Sequence, residues 1–198
     1  VYANWDSITP AAEKALLDFV ASGKGFLPIH CASYCFRNSN EYVKLVGGQF
    51  WRHTMDSITT QTLQPDHPIM KGSTPFTAYD ETYLHSQLQE DNNVLASREI
   101  KADQFKDKPG KTTEPYTWTR THGKGKIFYT AYGHDERTWN HPGFQDLIYR
   151  GILWSVNDEA ISVYDARNVQ PFTFTPANLP NYEKRPGVQY QQASLTPE

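Results

Sequence analysis

Gly25-Phe26-Leu27-Pro28-Ile29-His30-Cys31-Ala32 is an apolar run that breaks off at a histidine, with small and polar residues after it. That is the profile of a buried parallel strand meeting the loop at its carboxyl edge. Open α/β sheets bind ligands in the crevice at that edge. Lys126-Ile127-Phe128-Tyr129-Thr130-Ala131-Tyr132-Gly133-His134-Asp135-Glu136 repeats the shape. Two strand-terminal histidines in one small α/β domain predict a site.

Outward from the first run, residues 7–23 predict a helix. Thr9 can cap it and Pro10 suits its first position. Ala12, Leu16, Phe19 and Val20 share one face, and Gly23 can end it. The short step to the next strand makes an αβ unit, so residues 1–4 look like the tail of a preceding parallel strand. The beginning looks cut, and sequence upstream of Val1 is expected. Asn40 can cap a second helix carrying Tyr42, Val43, Leu45 and Val46, stopped by Gly47-Gly48. Residues 57–64 alternate as a half-exposed strand, 76–85 are extended, and 93–100 form another short strand. Residues 101–114 are charged and contain Pro and Gly, as a surface loop does. Residues 116–121 and 126–132 flank Gly123-Lys124-Gly125 as a hairpin. Residues 143–157 form the last helix, with Phe144, Leu147, Ile148, Gly151, Leu153 and Trp154 facing inward.

The chain has 198 residues, enough for one domain with a real core and a tail. The boundaries read as a domain over 1–164 and an extended tail or linker over 165–198, where prolines are frequent and aliphatic residues few. The net charge of −3 carries no basic footprint for nucleic acid. The longest apolar stretches, such as Ile127 to Tyr132, are far too short to span a bilayer. Cys31 and Cys35 read as two separate thiols and decide nothing about redox compartment.

Of seven histidines, His67, His122 and His141 precede proline or glycine and read as turn residues. His30 and His134 are the site candidates, and His53, just past a helix, can reach the same crevice. In Tyr79-Asp80-Glu81-Thr82-Tyr83, paired carboxylates between tyrosines suit acid/base or metal chemistry; the bland alternative is a solvated pair on a loop. Asp135 follows His134 and can orient it or bind a sugar hydroxyl. Tyr34, Trp51 and Trp139 can offer stacking faces. Gly123-Lys124-Gly125 lies in a hairpin, so no phosphate loop and no nucleotide is expected. No serine sits in a nucleophile elbow.

With these residues in hand, the chain resembles the ThuA-like (trehalose utilisation) family. The matching stretches are residues 25–32, 42–50, 65–69, Asp80-Glu81-Thr82-Tyr83, 123–130, Gly133-His134-Asp135 and Arg150-Gly151-Ile152-Leu153-Trp154. The resemblance implies a class I glutamine amidotransferase-like fold: a flavodoxin-like three-layer α/β/α sandwich with a mostly parallel sheet, its N-terminal part missing here. That superfamily places a cysteine nucleophile on the strand-to-helix elbow. Here histidine takes the matching point, and Cys31 comes one residue late. His134 matches the superfamily's histidine partner. Losing the thiol while keeping the histidine argues against acyl transfer and leaves two imidazoles for metal binding or proton transfer.

The resemblance implies a carbohydrate-active domain, acting on a sugar or keto-sugar by proton abstraction, isomerisation or glycosidic-bond cleavage. In that scheme His30, Glu81, His134 and Asp135 are catalytic, with His30, Glu81 and His134 able to hold a divalent metal such as zinc. Tyr34, His53, Asp80, Tyr83 and Trp139 bind the substrate. The alternatives are a non-catalytic sugar-binding or docking module, and an amidotransferase-like hydrolase using Cys31. The tail looks like the linker that joins such domains to a membrane-associated dehydrogenase or cytochrome region in large bacterial proteins. That likeness implies an excised domain with a fused partner in a periplasmic or other extracytoplasmic setting.

Overall fold

In the computed structural model, residues 1–101, 104 and 110–163 are described. The expected tail over 165–198, the end of the expected domain at residue 164 and part of the 101–114 loop lie outside them. Helix α1 spans Pro10–Ala21; the Thr9 hydroxyl accepts from Ala12 N and proline occupies the first turn. Gly23, at φ 106°, turns the chain out of it. Phe19 is a correction: it is 53% exposed, and among the residues of α1 only Val20 is buried. A short 3-10 turn covers His30–Ser33. Helix α2 spans Asn40–Val46 and is capped by Ser39, one residue before the expected Asn40; Gly47 ends it in the left-handed region.

Eight strands follow: β1 Gln49–Arg52, β2 Met55–Thr59, β3 Gln61–Thr62, β4 Thr77–Glu81, β5 Leu84–Ser86, β6 Asn93–Glu99, β7 Thr113–His122 and β8 Gly125–Thr130. The described residues end with α3 Glu136–Trp139, α4 Pro142–Val156 and α5 Asp158–Ser162. The run expected over 57–64 is split between two sheets: β2 pairs β4, and β3 pairs β6.

The strands form three sheets, β1-β5, β2-β4 and β3-β6-β7-β8. Every ladder between them is antiparallel. The expected flavodoxin-like sandwich with a mostly parallel sheet is therefore wrong. The cause is partly connection length: β7 and β8 are joined through Gly123-Lys124, whereas a parallel crossover needs roughly a dozen residues. The Gly25–His30 run does lie parallel to β8, but only through isolated bridges, Phe26 to Ile127 and Ile29 to Thr130. Phe26 N donates to Lys126 O and Phe128 N to Phe26 O. Pro28 has no N–H to continue that ladder. Ile29 N turns away and donates to Val1 O. An apolar run ending in histidine thus marks an extended, buried segment without requiring a parallel sheet.

Helices contact β8 from two sides. Phe128 lies against Gly151 of α4, where a Cβ would fall 2.5 Å from its ring. Tyr129 and its cross-strand partner Trp118 stack at 4.1 Å, and Trp118 Nε1 donates to Val46 O of α2. Tyr116, Trp118, Ile127, Phe128, Tyr129 and Tyr132 are wholly buried. This aromatic core anchors the segments that carry the site.

Candidate functional site

His30 opens the 3-10 turn with φ 51°, in the left-handed region that non-glycine residues avoid. Such backbone strain costs about 1–3 kcal/mol and persists where the surroundings enforce it. The ring is fixed by Nδ1, which lies 2.8 Å from Ala131 O. A carbonyl only accepts, so Nδ1 carries a proton and Nε2 points the other way. Facing Nε2 are Tyr83 Oη at 3.1 Å and Glu81 Oε2 at 3.2 Å. The Tyr83 ring stacks on His30 at 4.5 Å.

Glu81 is the last residue of β4, and its other oxygen draws two more imidazoles. His134 Nδ1 lies 3.2 Å from Oε1 and His53 Nε2 lies 3.3 Å from it. The Glu81 side chain is 12% exposed; those of His134 and His53 are 39% and 36% exposed. One carboxylate thus sits among three imidazoles at the edge of solvent. Burial works to raise the Glu81 pKa, but hydrogen bonds and charge from His134 and His30 outweigh it and hold the carboxyl well below the usual range. The hydrogen bond to Glu81 in turn lifts the His134 imidazole above its ordinary value, against partial burial. Burial, followed by neighbouring negative charge, pushes the Tyr83 hydroxyl far up, so it is a donor at neutral pH.

His30, Glu81 and His134 are the residues that could hold a divalent ion. One ligand atom from each of His30, Glu81 and His134 lies within 4.8 Å of the others. Ligands about 2.1 Å from a tetrahedral zinc sit about 3.4 Å apart; His30 Nε2 and His134 Nδ1 each lie 3.2 Å from Glu81, but from different oxygens, Oε2 and Oε1, so with one carboxylate oxygen as ligand only one of the two pairs has that spacing. When His30 is neutral, Nε2 is a lone pair facing a carboxylate oxygen. The Tyr83 hydroxyl, a donor 3.1 Å away, can satisfy that lone pair, and a cation between Nε2 and the carboxylate is another way to do so.

Asp80 stands apart from the substrate-binding role expected of it. It has no exposure. Oδ2 accepts from Gly133 N at 2.8 Å and from Thr138 Oγ1 at 2.7 Å; Oδ1 accepts from Glu81 N at 2.7 Å and from His134 N at 3.3 Å. The carboxylate therefore ties the end of β4 to the loop bearing His134. Asp135 is similarly engaged: it caps α3 through Arg137 N and pairs with the Arg137 guanidinium. It acts on His134 by charge. Trp139 donates from Nε1 to Gly133 O and packs edge-on to Tyr2 at 5.4 Å. Tyr34 packs on Phe50 at 5.9 Å; Phe50 in turn packs on Tyr83 and His53. Trp51 is 40% exposed with the Arg52 guanidinium over its ring.

Two contributors escape a reading of the sequence. Tyr2 donates to His134 O at 3.1 Å and stacks on His30 at 6.2 Å. Burial pushes its hydroxyl up to about 12. Phe50 backs Tyr83. Neither carried any local motif. Burial, reinforced by Cys35, pushes the Cys31 thiol up to about 12, which favours its protonated form near neutral pH. Cys31 and Cys35 are both free thiols. His67 and His141 accept locally from Ile69 N and Gly143 N, as turn and cap residues do. Among the described residues no helix is long and apolar enough to cross a membrane.

The sequence matches the family described as ThuA, trehalose utilisation, over residues 1–155. Among solved structures, it is similar to a ThuA-like protein from Parabacteroides merdae ATCC 43184. That pair has 21% identity and a TM-score of 0.63, covering 77% of this chain and 67% of that one. A ThuA-like protein from Bacteroides uniformis ATCC 8492 is similar at 24% identity and TM-score 0.62, covering 78% and 67%. A β-galactosidase from Rahnella sp. R3 matches at 15% identity and TM-score 0.50, covering 73% of this chain and 20% of that one. At these identities the likeness shows fold alone. No curated protein matches the sequence.

Proposed function

Because the chain belongs to the ThuA (trehalose utilisation) family, with the family match spanning residues 1–155, we propose that it acts on a sugar or keto-sugar by proton transfer at a metal-assisted site. The observation that carries this reading is the convergence of His30, Glu81 and His134, brought from three separate parts of the chain to one point. His30 Nε2, His134 Nδ1 and a Glu81 oxygen would hold the ion, whose charge would favour an enolate oxygen. His53 is the remaining imidazole at the mouth, within reach of Glu81 and more than a third exposed. It takes the proton from the carbon beside the substrate carbonyl. The C–H electron pair becomes the enolate double bond. On an α-hydroxy ketone, return of the proton to the former carbonyl carbon, with the hydroxyl proton passing to the enolate oxygen, isomerises the sugar; loss of the glycosidic oxygen one carbon further on, which leaves with the proton that His53 carries, cleaves the link. The Tyr83 hydroxyl, held as a donor, and the exposed aromatic Trp51 orient the sugar.

The test is deuterium exchange. A keto-disaccharide with its carbonyl on the pyranose ring is incubated in D2O with zinc-loaded protein and followed by proton NMR. Loss of the signal beside the carbonyl, abolished in His53→Ala and Glu81→Gln, is expected. Sugar signals that broaden without exchange would instead make the domain a sugar-binding module.

A further inference from the structure

Beneath His30 runs a second polar chain, distinct from the imidazole cluster. Glu114 in β7 and His85 in β5 have side chains with no exposure. Glu114 Oε1 accepts from both His85 N at 2.8 Å and His85 Nδ1 at 2.9 Å, and Lys111 pairs with the other oxygen. Nδ1 therefore carries the proton, and His85 Nε2 accepts from the Tyr129 hydroxyl at 3.0 Å. Tyr129 Oη lies 2.9 Å from Ser33 Oγ. The one Tyr129 hydroxyl proton is taken by His85 Nε2, so the His30 carbonyl accepts from Ser33 Oγ at 3.1 Å, and Tyr129 Oη, 3.3 Å from that carbonyl, lies against it without donating.

His30 is the residue with the strained elbow, φ 51°. Both its ends are held. Ser33, whose Oγ rests 2.9 Å from Tyr129 Oη of β8, donates to its carbonyl, and Ala131, just past β8, accepts from its ring. The chain is not a proton path to the site. It ends on a carbonyl, which has no proton to pass, and Tyr83, which touches Nε2, meets His85 only ring to ring at 5.9 Å. We propose that the Glu114–His85–Tyr129–Ser33 chain is a positioning device that holds His30 in its left-handed elbow and keeps Nε2 aimed at Glu81. The inference rests on the reading of His30 as a site residue. Each group is oriented by the one before it, so a buried network of this kind specifies one geometry where an apolar core would only fill space.

The test compares Tyr129→Phe and Ser33→Ala with Thr117→Val. Thr117 is equally buried, and its hydroxyl pairs with Thr130, outside the chain. Two quantities are read on metal-stripped protein: zinc affinity by calorimetry, and the His30 ring and Cα signals by NMR on histidine-labelled protein. Loss of zinc affinity by roughly ten- to hundredfold in Tyr129→Phe, as for residues that orient ligands, is expected, with displaced His30 signals. Thr117→Val should change melting temperature alone. Ser33→Ala carries the test if Tyr129→Phe does not fold. Wild-type zinc affinity with wild-type His30 signals in both chain variants overturns the proposal. If the wild type binds no zinc, the metal reading fails by itself. The His30 signals then decide: displaced in the chain variants but not in Thr117→Val supports positioning, and unchanged overturns it.

Discussion

The Nε2 of His30 faces Glu81 Oε2 at 3.2 Å while Nδ1 is already committed to Ala131 O. Donation from the Tyr83 hydroxyl, a proton on Nε2 or a bound metal can each satisfy that nitrogen, so the residue-level prediction concerns the metal. Calorimetric titration of zinc into metal-stripped protein should show one site, lost in His30→Ala and His134→Ala. Equal binding in all three proteins, or none in any, rules the site out. Cys31 gives a second prediction. With its thiol pushed up to about 12, alkylation by iodoacetamide at neutral pH should be slow, and Cys31→Ser should leave zinc affinity unchanged. Rapid modification near pH 7 would restore a thiol chemistry. At this scale much was legible. His30 and His134 are marked by residue type at the ends of apolar runs, Glu81 by its place in an extended segment and His53 only by following a helix, and the four side chains converge. Tyr2 was not legible, because nothing in its neighbours announces a contact 132 residues away with His134 O.

At the scale of the element, Asp80 and Glu81 show what alternation along a strand does. Adjacent residues of β4 point to opposite faces, so one carboxylate reaches the site and the other goes fully inside. The sequence shows the pair but not which member faces where; that depends on which face of the β2-β4 ribbon meets the core. Tyr116 Oη donates to Glu81 O at 2.5 Å, and Thr54 and Thr82 bond across at 2.6 Å, fixing the strand end. Asp80→Asn turns one accepting oxygen into a donor facing backbone N–H groups. It should cost about 1–3 kcal/mol of stability, since buried donors lose their partner, and should weaken zinc binding through His134. Urea denaturation and zinc titration of the same variant measure both. A variant with wild-type stability would show that the loop over 133–138 does not depend on this carboxylate. Helix boundaries were better marked: Thr9-Pro10 carries cap and proline together at the start of α1, whereas His141, read as a turn residue, in fact caps α4 ahead of Pro142. Sheet direction was not, because an apolar run has the same profile whichever way its neighbour runs.

For the whole molecule, the buried His85–Glu114 pair sets how stability responds to pH. Burial lowers the His85 pKa, outweighing the pull of Glu114, so the folded protein holds this imidazole neutral. Burial also opposes the charge on Glu114, but His85 and Lys111 outweigh it and keep that carboxyl below its usual range. The two signs agree. A histidine whose folded pKa is depressed binds its proton only on unfolding, so stability falls as pH drops below about 6.5, the unfolded value. A carboxylate with a depressed folded pKa adds stability above about 4.3, lost as pH drops further toward the folded value. Below about pH 6.5, where the raised His134 no longer adds a slope of opposite sign, melting temperature should therefore fall into acid, with a first limb of up to about 1.4 kcal/mol per pH unit from one proton. His85→Gln keeps a donor toward Glu114 and has no proton to take up, so it should be less stable at pH 7 yet lose that first limb. A wild-type melting temperature flat between pH 7 and 5, or a His85→Gln profile parallel to wild type, would mean that His85 does not govern the acid response and that its neutral form is not what the core holds.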